Sequence, residues 1–137
     1  MGRAGYRSLV NEAPGHRFAD AVVDASEGFA ISVPCSVEQM IALIRRAGLV
    51  IAGDTGPLHL AATLERPIVG LYGPTDPSRN GPYIGDNSKA RVLRHESSRT
   101  DHSRHAETEP GLMQISTEEV VEAALELLRS GQDKVKL

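Results

Sequence analysis

The sequence predicts an α/β fold, with a Rossmann-like parallel sheet and helices on both faces. Short dense apolar runs alternate along the chain with longer segments whose apolar residues recur at helical spacing. The runs at 49–53 (LVIAG) and 67–72 (PIVGLY) are unbroken, as expected for parallel strands that helices cover on both faces. The resulting order, β-α-β-α-β-α-β-loop-β-α, is typical of a doubly wound sheet, which binds ligands beyond the carboxyl ends of its strands.

The first half of the chain contributes two strands and two helices. In chain order, these predicted elements are a weak strand at 6–11, a helix at 16–26, a strand at 29–33 and a helix at 35–48. Gly28 suits the left-handed residue that ends the first helix. Ser36 and Gln39 form an S-x-x-Q capping box, which predicts that the second helix begins here.

The second half contributes three strands, two helices and two loops. In chain order, these are a strand at 49–53, a helix at 57–65, a strand at 67–72, a loop at 73–89, a strand at 90–94, a loop at 95–111 and a helix at 116–131. The first loop is dense in Gly, Pro, Asp and Asn, which predicts fixed turns. The second loop, 95–111, is polar without a period, and we expect it to be exposed and mobile. Ser116 and Glu119 form the capping box of the last helix, which we expect to end at Gly131.

The composition is that of a soluble globular protein. A chain of 137 residues fits one domain, so we expect residues 1–137 to form a single unit. The net charge of −3 gives no electrostatic basis for binding nucleic acid. A single cysteine excludes an intramolecular disulfide and agrees with a reducing compartment. Because no apolar run approaches the roughly 20 residues of a membrane span, we expect a cytoplasmic location.

The tripeptide Asp54-Thr55-Gly56, which follows the strand at 49–53, has two interpretations. The same tripeptide occurs in aspartic proteases, where two carboxylates share a proton in an all-β chain. Here Pro57 and apolar residues at helical spacing follow at once, and a second copy of the motif would have to come from a homodimer. The strand-loop-helix context favours the other interpretation, a loop that binds phosphate.

The phosphate interpretation assigns a role to each residue around the tripeptide. A helix that starts near Pro57 presents backbone N–H groups without intrahelical partners, and its dipole adds partial positive charge. Gly56 lets an anion approach the backbone, and Thr55 offers a hydroxyl donor. The His59 imidazole can point back at the anion, although a His bonded to a nearby carbonyl fits the spacing equally well. Asp54 would repel a bare phosphate, so we expect it to accept hydrogen bonds from sugar hydroxyls or to fix the loop through backbone N–H groups.

A second group of polar residues follows the strand at 67–72. Because Gly73 and Pro74 end this strand at the same carboxyl edge, the residues after them are displayed beside the first loop. These residues are Thr75, Asp76, Arg79 and Asn80. Arg79 is able to pair with a phosphate or with Asp76, and turn chemistry alone explains the segment equally well.

Other catalytic and metal-binding motifs are absent from the sequence or weak. It contains no glycine-rich dinucleotide motif, no P-loop and no G-x-S-x-G. His95, His102 and His105 lie in the polar loop without a recognised metal-ligand spacing, so chance composition explains them better than a metal site. We expect Cys35 to be a small buried apolar residue rather than a reactive thiol.

Two motifs together are specific enough to indicate a family. The pattern D-T-G-x-x-H-x-A is filled from Asp54 to Ala61, and P-x-V-x-L-[FY]-G-P-T is filled from Pro67 to Thr75, before a proline-rich loop. In these motifs the segment 45–83 closely resembles the C-terminal half of the bacterial ADP-heptose:lipopolysaccharide heptosyltransferases, glycosyltransferase family 9. The similarity extends more weakly over most of the chain.

The resemblance implies a GT-B architecture, in which two Rossmann-like halves face each other and the C-terminal half binds the nucleotide-sugar donor. Residues that it relates to the diphosphate and the donor sugar are Asp54, Thr55, Gly56 and His59. We expect Pro57 and Thr75, which lie in the same motifs, to line the binding site as well. It relates the turn of Pro34, Cys35 and Ser36 to the adenine. No catalytic residue is assigned within this chain, because the resemblance places the base in an N-terminal domain.

The sequence departs from the family pattern in two respects. Family members have an N-terminal domain with the acceptor site, and they begin the C-terminal half with a strand and a lysine that reaches the donor phosphates. This sequence starts about one βα unit into that half and so resembles a truncated piece. In the loop 12–18 (EAPGHRF), His16 or Arg17 stands where relatives often carry an acid that meets the ribose.

The expected function is therefore the donor-binding half of an inverting glycosyltransferase, which transfers heptose or a related sugar from an ADP-sugar to a lipopolysaccharide core acceptor. The alternative is a noncatalytic nucleotide-binding module or a partner-dependent subunit. We expect no metal or other cofactor, and either a homo-oligomer or an N-terminal domain as partner. In the complete enzyme, the resemblance allows peripheral contact with the inner membrane. We expect the isolated chain to show no transferase turnover.

Overall fold

The computed structural model describes residues 8–10, 18–101 and 107–133. The chain divides into two compact units, Met1–Met40 and Ile41–Leu137, and each is described by itself. Within the described ranges, no helix combines the length and the apolar character that crossing a membrane requires.

The first unit contains two short parallel strands and a helix. In chain order, these are β1 (Ser8–Val10), α1 (Phe18–Ala25) and β2 (Ala30–Ser32). The two strands pair in parallel with Ser8 opposite Ala30. Gly28 has a φ of 91°, in the left-handed region, and lies just beyond the end of α1 as the sequence predicts.

Helix α2, Val37–Arg46, begins with the predicted capping box. The Ser36 hydroxyl accepts a hydrogen bond from the Gln39 amide at 3.3 Å, and Gln39 Oε1 accepts one from the Ser36 amide at 2.9 Å. Two amides that the first helical turn leaves without backbone partners are thereby satisfied.

The second unit is built on three parallel strands. In chain order, the elements are β3 (Val50–Gly53), α3 (Gly56–Thr63), β4 (Ile68–Tyr72), α4 (Pro77–Asn80), a 3₁₀ turn (Asn87–Lys89), β5 (Ala90–Arg94), α5 (Pro110–Met113) and α6 (Thr117–Asp133). The strands lie in the order β3-β4-β5. Val50 and Ala90 both pair with Ile68, so the three strands start at the same level.

Helices cover both faces of this sheet. On one face, Val69 of β4 packs with Ala123 and Leu127 of α6 in a buried cluster. On the other face, a Cβ added to Gly70 would lie only 3.2 Å from Cδ2 of Leu58 in α3. Because successive strand residues point to opposite faces, Val69 faces α6 and Gly70 leaves room for α3. This packing places the start of α3 at the carboxyl edge of the sheet.

The predicted fold class and the predicted order of strands and main helices are confirmed. The two short helices were not predicted: α4 lies in the loop 73–89, and α5 begins at the end of the loop 95–111. Each starts with a proline directly after an acidic residue, Asp76 or Glu109, whose side chain caps the helix.

The predicted end of the last helix at Gly131 is wrong, because α6 continues to Asp133. Gly131 does not adopt the left-handed conformation that ends a helix. An exposed helix tolerates glycine at a cost of only about 1 kcal/mol relative to alanine. Residues 102–106 lie outside the described part of the loop 95–111, and the mobility of that loop stays a prediction, as does the single-domain organisation.

Replacing Leu127 by alanine is expected to lower the free energy of unfolding by about 2–4 kcal/mol. Its side chain is 3% exposed, in the cluster that joins α6 to β4. Leu125 lies on the same helix but is 43% exposed, so Leu125→Ala is the matched control and should cost less than about 1 kcal/mol. Urea unfolding followed by circular dichroism measures both, and equal losses would contradict this packing.

Candidate functional site

The candidate site lies where β3 and β4 end. Gly53 pairs with Leu71 in the last step of the parallel register, so the next residues, Asp54 and Tyr72, are neighbours at the carboxyl edge. Helix α3 starts two residues after Asp54, and the turn after β4 starts at Gly73. Ligands of α/β sheets bind at this edge.

Asp54 and His59 form a short hydrogen bond across the start of α3. His59 Nε2 lies 2.6 Å from Asp54 Oδ1, and the two side chains are 39% and 14% exposed. An ionised carboxylate has no hydrogen to give, so Nε2 carries the proton and donates it. The imidazole therefore extends back over the first turn of α3, and its partner is a carboxylate rather than a backbone carbonyl.

The Asp54 carboxylate also accepts hydrogen bonds from the loop after β4. Asn80 Nδ2 lies 3.4 Å from Oδ2. The Thr75 side chain lies near enough to the carboxylate to lower its pKa. Partial burial raises the pKa of Asp54 and is the largest single influence. The hydrogen bonds from Thr75, His59 and Asn80, with the attraction of His59, together outweigh burial and bring the pKa below its ordinary value of 3.8. Asp54 is thus ionised at neutral pH.

The N-terminus of α3 carries no side-chain cap. Thr55 is the N-cap residue in extended conformation, but its hydroxyl donates to the Gly53 carbonyl at 3.2 Å instead of accepting from the helix. The amides of Leu58 and His59 turn back to the Thr55 carbonyl, and Pro57 has no N–H. Thr55 and Gly56 are exposed. Within the described residues, the Gly56 amide donates no hydrogen bond, so it is open to an anion.

Helix α4 fixes the position of Asn80. Asp76 caps this helix by accepting from the Ser78 amide at 2.9 Å and from the Ser78 hydroxyl at 2.8 Å. Those hydrogen bonds from Ser78 are the main reason that the pKa of Asp76 is lowered, with smaller contributions from Arg94 and Arg79. Arg79 is exposed and forms no ion pair with Asp76 in the described structure, so its phosphate role stays a prediction.

Tyr72 lies beneath this edge with its hydroxyl unsatisfied. The side chain is fully buried, and its hydroxyl has no hydrogen-bond partner among the described residues. Burial, with smaller effects from the charges of Asp54 and Tyr83, raises the pKa of Tyr72 to about 12. The phenol is therefore neutral at physiological pH.

The three residues that the family resemblance relates to the adenine lie in the first unit, between β2 and α2. Pro34 and Ser36 are exposed. Cys35 is half-buried, so the prediction of a buried residue at this position is wrong. The Ser36 hydroxyl caps α2, so we expect Ser36 to contact a ligand through its backbone groups. The structure thus brings together the residues near Asp54, and the contacts of the turn 34–36 with adenine stay a prediction.

Several other candidate residues lie outside the described ranges. These are His16, Arg17, His102 and His105. In the part of the chain that the structure describes, no three His, Cys, Asp or Glu side chains gather as metal ligands. His95 is described, and its Nδ1 lies 2.7 Å from the Ser97 hydroxyl.

The Asp54–His59 contact was not predicted, although the sequence contains a signal for it. With Thr55 as N-cap, Asp54 and His59 occupy the N′ and N4 positions, where a hydrophobic staple usually forms. An acidic residue and a histidine at these two positions predict a hydrogen bond instead of a hydrophobic staple. The pairing of Asn80 with Asp54, 26 residues apart, has no comparable local signal.

A sequence profile of glycosyltransferase family 9 (heptosyltransferase) matches residues 10–111, about three quarters of the chain. The chain belongs to this family. This family 9 chain is 27% identical over 125 residues to a curated relative, lipooligosaccharide heptosyltransferase 2 of Haemophilus influenzae. The match covers 90% of the chain and 35% of the relative. The chain is 41% identical over 58 residues to lipopolysaccharide heptosyltransferase 2 of Salmonella typhimurium, covering 42% of the chain and 16% of the relative.

Two solved structures resemble the family 9 chain closely. The ADP-heptose lipopolysaccharide heptosyltransferase II of Escherichia coli superposes with a TM-score of 0.78 at 24% identity, covering 93% of the chain and 38% of that enzyme. The family 9 glycosyltransferase of Veillonella parvula superposes with a TM-score of 0.73 at 30% identity, covering 92% and 37%. The fold is thus that of the family, and the chain spans little more than a third of the length of these structures.

Replacing Asp54 by asparagine is expected to destabilise the protein in a pH-dependent way. Because the folded-state pKa is lowered, the ionised carboxylate stabilises the fold above its ordinary pKa of 3.8, and this contribution is lost as the pH falls through the folded-state value. The wild-type advantage over Asp54→Asn should be about 1–2 kcal/mol at neutral pH and should shrink below about pH 4.

Urea unfolding at several pH values measures this difference. Asp24→Asn, at an exposed position of α1, is the control and should change the free energy of unfolding by less than about 0.5 kcal/mol at neutral pH. A pH-independent offset for Asp54→Asn would show that the carboxylate is not held by these hydrogen bonds.

Replacing Tyr72 by phenylalanine is expected to leave the free energy of unfolding unchanged or to raise it by about 1 kcal/mol, because the substitution removes a buried hydroxyl that lacks a partner. The ring and its packing against Gly70 are retained. Thermal unfolding measures the change. A loss of more than about 1 kcal/mol would mean that the hydroxyl is hydrogen-bonded in solution.

Proposed function

We propose that this chain is the donor-binding part of a heptosyltransferase and that it binds the diphosphate of an ADP-sugar at the start of α3. The observation that carries the proposal is the open N-terminus of an eight-residue helix at the carboxyl edge of a parallel sheet. The exposed Gly56 amide and the dipole of α3 both favour an anion at this point. Membership of the heptosyltransferase family supplies the class of ligand.

His59 offers one nitrogen to the ligand. Its Nε2 is bonded to Asp54, and Nδ1 makes no hydrogen bond to a described residue. A protonated ring donates from Nδ1 to a phosphate oxygen, whereas a neutral ring accepts there from a sugar hydroxyl. In either state, Asp54 fixes the orientation of the ring.

Asp54 acts in this proposal by fixing the loop. Its two oxygens already accept hydrogen bonds from His59 and Asn80, and the nearby Thr75 side chain further favours the ionised carboxylate. These donors offset its negative charge, so a diphosphate can bind at the neighbouring helix terminus with less repulsion. This supports the loop-fixing role, although the donors are side chains rather than the backbone N–H groups that the sequence predicts.

In the complete enzyme, we infer that an acceptor hydroxyl attacks the anomeric carbon of the donor sugar. The new carbon–oxygen bond forms as the bond from this carbon to the diphosphate oxygen breaks. The diphosphate leaves with the bonding electron pair, and the N-terminus of α3 stabilises its charge. The hydroxyl proton passes to a base that the family resemblance places in an N-terminal domain.

The identity of the substrates follows the relatives. Their names specify heptose transfer to lipopolysaccharide or lipooligosaccharide, and that of the Escherichia coli enzyme specifies ADP-heptose. We therefore propose an ADP-heptose donor and a lipopolysaccharide core acceptor for the enzyme to which this chain contributes.

Calorimetric titration of the chain with ADP tests the proposal. His59→Ala should weaken binding about tenfold or more, because a hydrogen bond to a charged phosphate is lost and Asp54 is left with a missing partner. His95→Ala is the matched control, since this histidine lies in the loop after β5 and bonds to Ser97, and it should bind as the wild type does.

Two outcomes would contradict the proposal. If the wild-type chain shows no affinity for ADP or an ADP-sugar, the donor-binding function is wrong. If ADP binds but His59→Ala binds equally well, the nucleotide lies elsewhere than at the start of α3.

A further inference from the structure

The turn after β4 carries Thr75 and leads to Asn80, the two residues that reach Asp54 from this side. Its conformation therefore decides how the carboxylate is hydrogen-bonded. The backbone of the turn is held by groups from β5 and from the loop that follows it.

Arg94, the last residue of β5, donates from Nε to the Gly73 carbonyl at 3.2 Å. Its Nη2 donates to the Ser98 carbonyl at 3.4 Å and to the Thr100 hydroxyl at 3.1 Å. One planar guanidinium thus joins the turn to the loop after β5. Within the described residues Arg94 forms no ion pair, so its donors serve these neutral oxygens.

Two further contacts fix the same turn. The Asp101 amide donates to the Pro74 carbonyl at 2.9 Å, so the consecutive carbonyls of Gly73 and Pro74 accept hydrogen bonds from the end of β5 and from the loop after it, respectively. Gly73 is buried, and a Cβ there would lie 2.9 Å from Cβ of Leu112 and 3.1 Å from Oε2 of Glu109. The turn has no space in which to shift toward α5.

Glu109 in turn holds the loop that Arg94 contacts. Its carboxylate accepts from the Ser98 hydroxyl and the Arg99 amide, each at 3.3 Å, and from the Leu112 amide at 2.8 Å. The Ser98 carbonyl that accepts from Arg94 is therefore itself fixed to the start of α5.

We propose that Arg94 is a positioning residue for the Asp54 site: by holding the Gly73 carbonyl, it sets the places from which Thr75 and Asn80 meet the carboxylate. Arg94 does not contact Asp54 itself in the described structure. It acts through the backbone of residues 73–75. The consequence for nucleotide affinity rests on the proposed function, whereas the consequence for Asp54 does not.

Arg91 provides a matched control on the same strand. Its Nε donates to Glu126 of α6 at 3.0 Å, in a partly exposed ion pair remote from the turn. Arg91 and Arg94 are the same residue type on the same strand, but Arg91 contacts α6 whereas Arg94 contacts the turn after β4. Arg91→Met and Arg94→Met remove the same number of donors.

The experiment follows the titration of the Asp54 carboxyl carbon by NMR in the full chain. Arg94→Met should raise the pKa of Asp54 toward its ordinary value, because the hydrogen bonds from Thr75 and Asn80 weaken when the turn is released. Arg91→Met should leave that titration unchanged. Arg94→Lys keeps the positive charge but loses the planar guanidinium that bonds to several oxygens at once, so it should raise the Asp54 pKa as well.

The Arg94→Lys variant distinguishes positioning from charge and also serves if Arg94→Met fails to fold. An unchanged Asp54 titration in Arg94→Lys would overturn the proposal, whether or not Arg94→Met shifts it. Where the wild type binds ADP, Arg94→Lys should also bind it about tenfold more weakly, and equal affinity would overturn the proposal. Where the wild type binds no ADP, the proposed function fails and the titration alone decides the role of Arg94.

Discussion

The hydrogen bond between Asp54 and His59 is the interaction on which the site depends. It connects the end of β3 to the first turn of α3 at positions where many helices carry a hydrophobic contact. A polar contact fixes the direction in which the chain enters the helix and leaves the helix terminus accessible. Asn80 and Thr75, in the loop after β4, interact with the same carboxylate. The Asp54 side chain therefore connects the ends of β3 and β4.

Local patterns in the sequence were sufficient for most of the fold. The apolar runs predicted β3 and β4, and the capping boxes at Ser36 and Ser116 both form. These features depend on residues a few positions apart, which periodicity and capping rules describe. The start of α3 was predicted in the same way, from Pro57 and the tripeptide before it.

Contacts between distant residues could not be predicted from the sequence. Arg94 and Gly73 are 21 residues apart, and nothing in their spacing predicts that a strand-end arginine will bond to that carbonyl. Glu109 likewise reaches Ser98 only because the chain folds back after β5. Such contacts depend on which side chains the sheet brings to one edge, so they become visible only with the register of β4 and β5. The interactions of Asp54 with Asn80 and Thr75 are of this long-range kind.

The open terminus of α3 has a thermodynamic consequence. Serine side chains cap the first turns of α2 and α6, but α3 has no such group, and its Gly56 amide has no hydrogen-bond partner among the described residues. A bound diphosphate would act as the missing cap. Any ligand that binds only the folded state raises its stability in proportion to the logarithm of ligand concentration. The melting temperature of this chain would then depend on the nucleotide pool around it, with α3 as the element that gains most.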